Sequence, residues 1–437
     1  MIDTFVKLED CINNCLLSRL SKPSIEKNNH SEYQVRNKKL EQYFPKLIHL
    51  LENVDFREQL EIGSSTLYSL LILYLELKTE GPWNTENIKA QEYPAKLNQA
   101  FVTKYNIAFD EILIKDDFYN AQEVFDKCIK DLHQRMTLDD FKKYPALVEV
   151  YCLLIKNVME YKVILNPVTV LPVGLLLVDD YIVSNKLKGL QCCALIMQCL
   201  DQKALPDQLR LKKQNEQKSQ KKIGDGNSDA FTTGNYYEVV YRSLKNNMFE
   251  KDIEVTQCLF KCFPDFLKIL PPEVKKSKLN DVFSSIIDQL NTETNLYRKA
   301  ACFDFTTKII EMHGVHCVKK KMFKDIICDN LEICSNEDVY EILIQHVMEC
   351  LLMWIKYCWC IWTLPADEKM LSSLIKTLYV AKDEPTILQI QNLILTLIHL
   401  CTKEAQKQIY TSLEAVPKGT NADFLTKINK IKENICP

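Results

Sequence analysis

Glycine is scarce in this chain, with nine in 437 residues, where proteins usually carry about 7%. Phosphate-cradling loops, nucleophile elbows and tight hairpin turns depend on glycine, because they need positive φ or close backbone approach. A chain this poor in glycine has little room for them. Leu, Ile, Lys and Glu are abundant instead, which favours helices joined by short turns. The fold class that follows is all-α. No convincing pair of alternating strands is visible. Val163–Val170 is rich in β-branched residues, but Pro167 lies inside it, so it reads as the lead-in to a helix.

The length exceeds what one ordinary core supports, but a solenoid escapes that limit because each repeat buries its face only against its neighbours. Helices are expected at about Phe5–Leu20, Arg36–Asn53, Ser65–Lys78, Tyr93–Ala108, Asn120–Gln134 and Tyr144–Tyr161. Farther on, a weak repeat recurs. HEAT repeats often open their second helix with a pattern like Val-Arg-x-Ala-Ala. In that place stand Asn185–Gly189, Val255–Leu259, Tyr297–Ala301 and Val339–Leu343, with a degenerate copy near Ile387. The steps are 70, 42, 42 and 48 residues. The first holds a lysine-rich insertion, Lys212–Gly234; without its 23 residues, 47 remain. All four intervals then lie near the HEAT period of about 40–47. The expected architecture is an α-solenoid of HEAT-like helical hairpins, with an N-terminal helical region over 1–160 and a HEAT-like region over 161–437. The insertion has no apolar period and is expected to be a disordered surface loop. Its five lysines against one glutamate over Lys212–Lys222 also fit a nuclear-import or nucleic-acid patch, though a solvated loop is the simpler reading.

A net charge of −3 and a pI near 6.2 supply no broad basic field for nucleic acid. Met1–Leu20 carries Asp3, Glu9 and Asp10 and lacks the layout of a secretory signal. The most apolar window, Leu343–Leu364, holds His346, Glu349 and Lys356 and stops at Pro365, so it reads as a buried helix rather than a membrane span. Without an export signal, eighteen cysteines fit a reducing cytosol. Spacings such as Cys11/Cys15 and Cys258/Cys262 place them as small buried hydrophobes on helix faces.

The segment Leu171–Leu190 is the most distinctive. An apolar stretch, Val173–Val178, is expected to form a helix opened by Pro172. Asp179, Asp180 and Tyr181 follow as a turn, and Ser184 is the expected N-cap of the next helix, whose apolar face is Leu187, Leu190, Ala194 and Met197. Neighbouring aspartates in a turn are not a catalytic pair, which faces across from separate elements. One is expected to take backbone donors near Ser184–Lys186, the other to pair with a basic residue of an adjacent repeat, with Lys186 placed to join. Gly189 is expected where two helices approach too closely for a side chain. No catalytic, cofactor or metal constellation is found. His313, His316 and Cys317 lack a fourth zinc ligand at a recognisable spacing; Cys328 and Cys334 fall on different faces. Cys358-Trp359-Cys360 lacks the spacer of redox motifs. Trp354, Tyr357, Trp359 and Trp362 form an aromatic cluster. One helix cannot bury Trp354 and Trp362 together with Trp359 against one neighbour, so Trp354, Trp359 and Trp362 are candidates for a partner-binding face.

The pattern Leu-Pro-x-x-Leu-Leu-Leu-Val-Asp-Asp over 171–180, followed by Asn185-Lys186-x-x-Gly189, resembles the signature of the Tel-two-interacting protein two family. The resemblance spans about Asn166 to Lys430. It continues through Asn235–Tyr241, through Leu259–Leu270 with Phe263-Pro264, through the helix around Arg298, and through Leu393–Ile428. Only the Asp-Asp, Asn-Lys and Gly block is specific, and the lysine-rich insertion departs from the family spacing. The resemblance implies a non-catalytic scaffold subunit of the Triple T complex, partnered by the Tti-one and Tel-two proteins. Through the heat-shock-ninety machinery, such a subunit supports maturation of phosphatidylinositol-kinase-related kinases of the mTOR, ATM and ATR types, which links it to the DNA damage response. It implies no cofactor, no nucleic acid and no membrane partner, and a cytoplasmic location with the nucleus as a second site. The competing reading is an unrelated HEAT-repeat adaptor for transport or phosphatase assembly. A helical hydrolase with dispersed Cys and His residues is the remote third.

Overall fold

The computed structural model describes residues 2–24, 30–56, 60–85, 91–115, 119–202, 236–362, 368–415 and 421–435. Among these the chain forms nineteen α-helices, a few 3-10 turns and no strand. The fold is all-α, built from helical hairpins of the solenoid kind. The insertion at 212–234 lies outside the described residues. No described helix is long and apolar enough to cross a membrane.

The chain divides into two compact units, Met1–Ser243 and Leu244–Pro437. The boundary expected near residue 160 does not coincide with this division. The helices on either side of residue 160 pack together, so the first unit continues well beyond it.

In the first unit, α1 (Ile2–Cys15), α2 (Ser31–Asn53), α3 (Leu60–Lys78), the single turn α4 (Pro82–Thr85), α5 (Tyr93–Tyr105), α6 (Ala121–Arg135), α7 (Pro145–Lys156), α8 (Pro167–Val178) and α9 (Val183–Gln202) follow in order. The central helix is α3, which packs on α1, α5, α6 and α7; the α8–α9 hairpin lies against α6 and α7. Six helices fall where periodicity placed them, with shifted ends. The first stops at Cys15 rather than Leu20, and the second starts five residues before Arg36. The reason for the first stop is tertiary. The Leu17 N–H leaves the helical pattern to donate to Glu76 Oε1 at 2.9 Å. That carboxylate oxygen also takes Arg36 Nε at 3.1 Å and Nη2 at 2.9 Å. Arg36 Nη1 reaches the Asn84 side chain at 2.9 Å. Both charged side chains are fully buried. Losing one partner of such a pair typically costs 3–5 kcal/mol, because the other charge is stranded.

The second unit holds α11 (Ile253–Ile269), α12 (Pro272–Thr292), α13 (Leu296–His313), α14 (Phe323–Ile333), α15 (Glu337–Cys358), α16 (Glu368–Val380), α17 (Glu384–His399), α18 (Lys403–Glu414) and α19 (Ala422–Glu433). The division between units falls within α10 (Tyr236–Asn247). Two rows result. Helices α11, α13, α15, α17 and α19 pack side by side in that order, and α12, α14 and α16 form a second row. The buried stripe of α15 shows why: Tyr340, Leu343, Ile344, Val347, Met348, Leu351, Trp354, Ile355 and Cys358 recur at helical spacing and cover more than one face. A helix apolar over so wide an arc needs neighbours on both sides.

The repeat read from the sequence is visible in the caps. Asp252, Asn295, Asn336 and Asp383 stand at the N-caps of α11, α13, α15 and α17, at steps of 43, 41 and 47 residues. Their side chains accept from the N–H groups of Val255, Arg298, Asp338 and Thr386 at 3.0–3.1 Å. Each thus satisfies a donor that the first helical turn leaves unpaired. Contacts between successive repeats keep the same period. Arg298 Nε donates to Thr256 Oγ1 at 3.2 Å. Gln345 donates to Thr386 Oγ1 at 2.5 Å, and Lys369 pairs with Asp329 at 2.5 Å. Replacing Asn295 by Ala is expected to destabilise the protein by about 1 kcal/mol, read as a lowered urea midpoint. An unchanged midpoint would mean that this cap is not holding α13.

Candidate functional site

The signature block folds as one hairpin, with details that differ from expectation. The helix that carries Pro172 begins at Pro167, capped by Asn166, whose side chain accepts from the Val168 N–H at 3.2 Å. Pro172 therefore sits inside α8 rather than in its first turn. The next helix begins at Val183, and Ser184 is not its cap. The Ile182 carbonyl accepts from the Asn185 and Lys186 N–H groups at 3.0 Å, so those donors need no carboxylate.

The two aspartates go elsewhere. Asp180 is buried and meets three donors: Lys142 Nζ at 2.7 Å, Asn185 Nδ2 at 2.7 Å and its neighbour Tyr181 N–H at 2.8 Å. Lys142 lies on a 3-10 turn, Phe141–Lys143, and its ammonium also sits 3.7 Å above the Tyr181 ring. The cation paired with Asp180 is Lys142, 38 residues upstream. Asp179 accepts from the Ser243 hydroxyl at 2.7 Å. These carboxylates brace the α8–α9 turn against the element before it and against Ser243.

Gly189 is where two backbones touch. A Cβ built there would lie 2.6 Å from the Val178 nitrogen, 2.7 Å from the Gly174 carbonyl oxygen and 2.9 Å from the Leu177 carbonyl carbon. All three are backbone atoms of α8 and cannot swing aside. Gly174 faces it from the other helix; a Cβ on Gly174 would meet the Tyr151 hydroxyl at 3.1 Å and the Cys193 sulfur at 3.2 Å. The packing reason expected for Gly189 is therefore present, and Gly174 is its partner.

The three tryptophans part company. Trp354, on α15, is completely buried and stacks among Phe283 and Phe323, with ring centroids at 6.1 and 4.8 Å. Trp362 is also buried; the Lys324 ammonium lies 4.9 Å from its ring. Neither indole N–H finds an acceptor among the described residues. Trp359 is 57% exposed. Helix α15 ends at Cys358, and Trp359–Ile361 form a 3-10 turn. The change of helix type re-aims the chain, so Trp362 is buried and Trp359 is not. Trp354 and Trp362, expected as partner-binding candidates, are corrected to core residues; Trp359 is the one of the three that is exposed.

The His313, His316 and Cys317 group packs rather than ligates. His313 is buried at the end of α13, 6.3 Å from the Phe283 ring. Gly314, with φ at +59°, lets the chain leave the helix there. Cys317 is fully buried, and burial pushes its thiol well above the ordinary range. Burial likewise raises Cys350 and Cys358 to about 12. These thiols stay protonated at neutral pH and make poor nucleophiles. Among the described residues, no three His, Cys, Asp or Glu side chains are grouped to hold a metal ion.

Sequence reasoning missed Lys142 and Ser243, the distant partners of the two aspartates, and Gly174. Only Gly174 had a local signal, as the lone glycine of an apolar helix.

Two expectations follow. Gly189→Leu overpacks a backbone contact and should cost about 1–3 kcal/mol or more, and Gly189→Ala should already lower the melting temperature; normal melting of both variants would contradict the close approach. The second concerns His313. Burial, then His316, Lys276 and Lys319, lowers its pKa to about 4, below the roughly 6.5 of an unfolded chain. Between these values the unfolded state binds a proton that the folded state excludes. Stability should therefore be complete above about pH 6.5 and fall as pH drops toward 4. His313→Phe should reduce the loss between pH 7 and 4.5 by on the order of 2 kcal/mol, measured as the difference in urea midpoints. Identical pH dependence in both proteins would refute the assignment.

No protein-family model matches the chain, and no curated protein does. Among solved structures, an engineered protein from the Northeast Structural Genomics Consortium is similar at 10% identity, with 98% of each chain covered and a TM-score of 0.43. SYS-1 is similar at 11% identity, with 92% of this chain and 74% of that one covered and a TM-score of 0.36. Likeness at this level says nothing about activity or partners, and the fold assignment rests on the helices themselves.

Proposed function

We propose that this chain is a non-catalytic scaffold subunit of the Triple T co-chaperone complex, acting with the Tti-one and Tel-two proteins. In that role it supports maturation of phosphatidylinositol-kinase-related kinases through the heat-shock-ninety machinery. The observation that carries the reading is the block Asp179-Asp180, Asn185-Lys186 and Gly189, the specific part of the resemblance. Its side chains serve the α8–α9 hairpin itself: Asp180 holds Lys142 and Asn185, and Gly189 admits α8. A signature of this kind preserves the shape of a repeat, which is what a docking subunit must keep constant. Two further features support a scaffold. The cysteines of the second unit are mostly buried with raised pKa values. Exposed aromatic residues such as Tyr181 and Trp359 offer anchors of the kind that dominate protein interfaces. The working location is the cytoplasm, with the nucleus as a second site.

Affinity purification of the tagged chain from its own cells should recover the Tti-one and Tel-two proteins in stoichiometric amounts. Recovery of transport receptors or phosphatase subunits in their place would support the competing adaptor reading. Turnover of a substrate that disappears in Cys317→Ala would refute both.

A further inference from the structure

One end of the second unit combines exposed apolar side chains with unpaired positive charge. Helix α13 finishes at His313, and the 3-10 turn Gly314–Lys319 folds onto the end of α15. A Cβ on Gly314 would lie 3.8 Å from the Tyr357 ring. At the start of α14, Lys324 Nζ donates to the Ile361 carbonyl at 3.0 Å, tying that helix to the turn that carries Trp359. Trp359, Val315 and Met322 are therefore presented at the same end of neighbouring helices. They are 57%, 63% and 52% exposed. Around them stand Lys319, Lys320 and Lys321, with Lys356 in the last turn of α15 and Lys276 near His313. None of these five lysines has an ion pair among the described residues, although the Lys356 ammonium lies 5.4 Å from the Tyr357 ring; elsewhere in the unit some lysines are paired, Lys369 and Lys376 among them, and some, such as Lys308 and Lys407, are not. The acids on the same stretch are Glu311 and Asp325, and neither is paired with them.

A plainer account is that lysines answer the carbonyl ends of α13 and α15. That explains a lysine or two beside each helix end. It does not account for Val315, Met322 and Trp359 being exposed together among those lysines. Charge and apolar surface together specify the complement.

We infer that this face docks an acidic segment of a partner protein bearing a large apolar side chain, which packs on Trp359 between Val315 and Met322 while its carboxylates meet the lysines of 319–321. This deepens the scaffold reading by giving the chemistry of one docking face. It is tested by direct peptide binding, so its failure is distinguishable from a failure to recover the Triple T subunits.

The probe is a fluorescein-labelled dodecapeptide of glutamates with two phenylalanines, followed by fluorescence anisotropy with the full chain. A second peptide has serine for phenylalanine, and a twelve-nucleotide single strand of DNA serves as an anion without apolar side chains. The glutamate–phenylalanine peptide should bind, more weakly as salt rises. Affinity should fall by about tenfold or more in Trp359→Ala, as for an interface anchor, and similarly in the triple variant Lys319→Glu, Lys320→Glu, Lys321→Glu. Lys407→Glu, on α18, should bind as the parent does. Circular dichroism and melting should be unchanged in Trp359→Ala, since its ring is largely in solvent. The inference fails if the parent does not bind the peptide, if the serine peptide binds equally, or if DNA binds as tightly and Trp359→Ala leaves peptide binding intact.

Discussion

A two-helix hairpin of this chain cannot bury its own apolar surface, and the structure depends on that shortfall. Helix α15 is the clearest case. Its buried residues, from Tyr340 to Cys358, cover too wide an arc for one partner, so α13 must lie on one side and α17 on the other. Each unit therefore grows by addition, every hairpin completing the one before it. The polar contacts follow the same rule. Arg298 is buried beneath its own helix start, yet it bonds Thr256 and the Met248 carbonyl, about one repeat back. Its ion pair with Glu293, just before its own N-cap, fixes the guanidinium for that reach. Such contacts add little energy singly. They choose the register in which apolar stripes meet.

The first unit solves the same problem less regularly. It uses a buried charge pair, Arg36 and Glu76, to hold the chain just after α1, the start of α2, the end of α3 and the short turn α4 on one point. It also brings α8 and α9 into backbone contact through Gly174 and Gly189. In a chain with nine glycines, spending two on one helix crossing marks that crossing as a place where thickness is fixed. The aspartates beside it brace the same hairpin, through Lys142 on one side and Ser243 on the other. The most recognisable block of the sequence is thus a piece of engineering for shape.

That separation between shape and contact bears on how such a protein acts. Groups that are conspicuous in a sequence, such as paired carboxylates, clustered cysteines and a His-x-x-His-Cys run, are absorbed here into packing. Groups left in solvent are single large apolar residues and lysines at helix ends. The scaffold role proposed above would use such groups, held on a frame of packed hairpins. Trp359 illustrates the economy of it. Three residues of 3-10 helix after Cys358 turn one tryptophan outward and the next inward.

The helical class, the repeat period and most helix positions were legible in the sequence because they depend on local rules. Glycine scarcity disfavours tight turns, apolar residues recur at helical spacing, and the openings at Val255, Tyr297 and Val339 recur every 42 residues; the Asp and Asn caps just before them came from the structure. The close approach at Gly189 was legible for the same reason, since a glycine inside a helix needs a cause. Partners were not legible. Nothing near Asp180 in sequence points to Lys142, and nothing near Leu17 points to Glu76, because these pairs form only when segments far apart in the chain are brought together. Nor could periodicity decide the tryptophans. It assumes one continuous helix, and the chain changes helix type between Trp354 and Trp362. Local propensity determined which segments are helices. Only the tertiary packing decided which charges are neutralised inside and which aromatic ring is left in solvent.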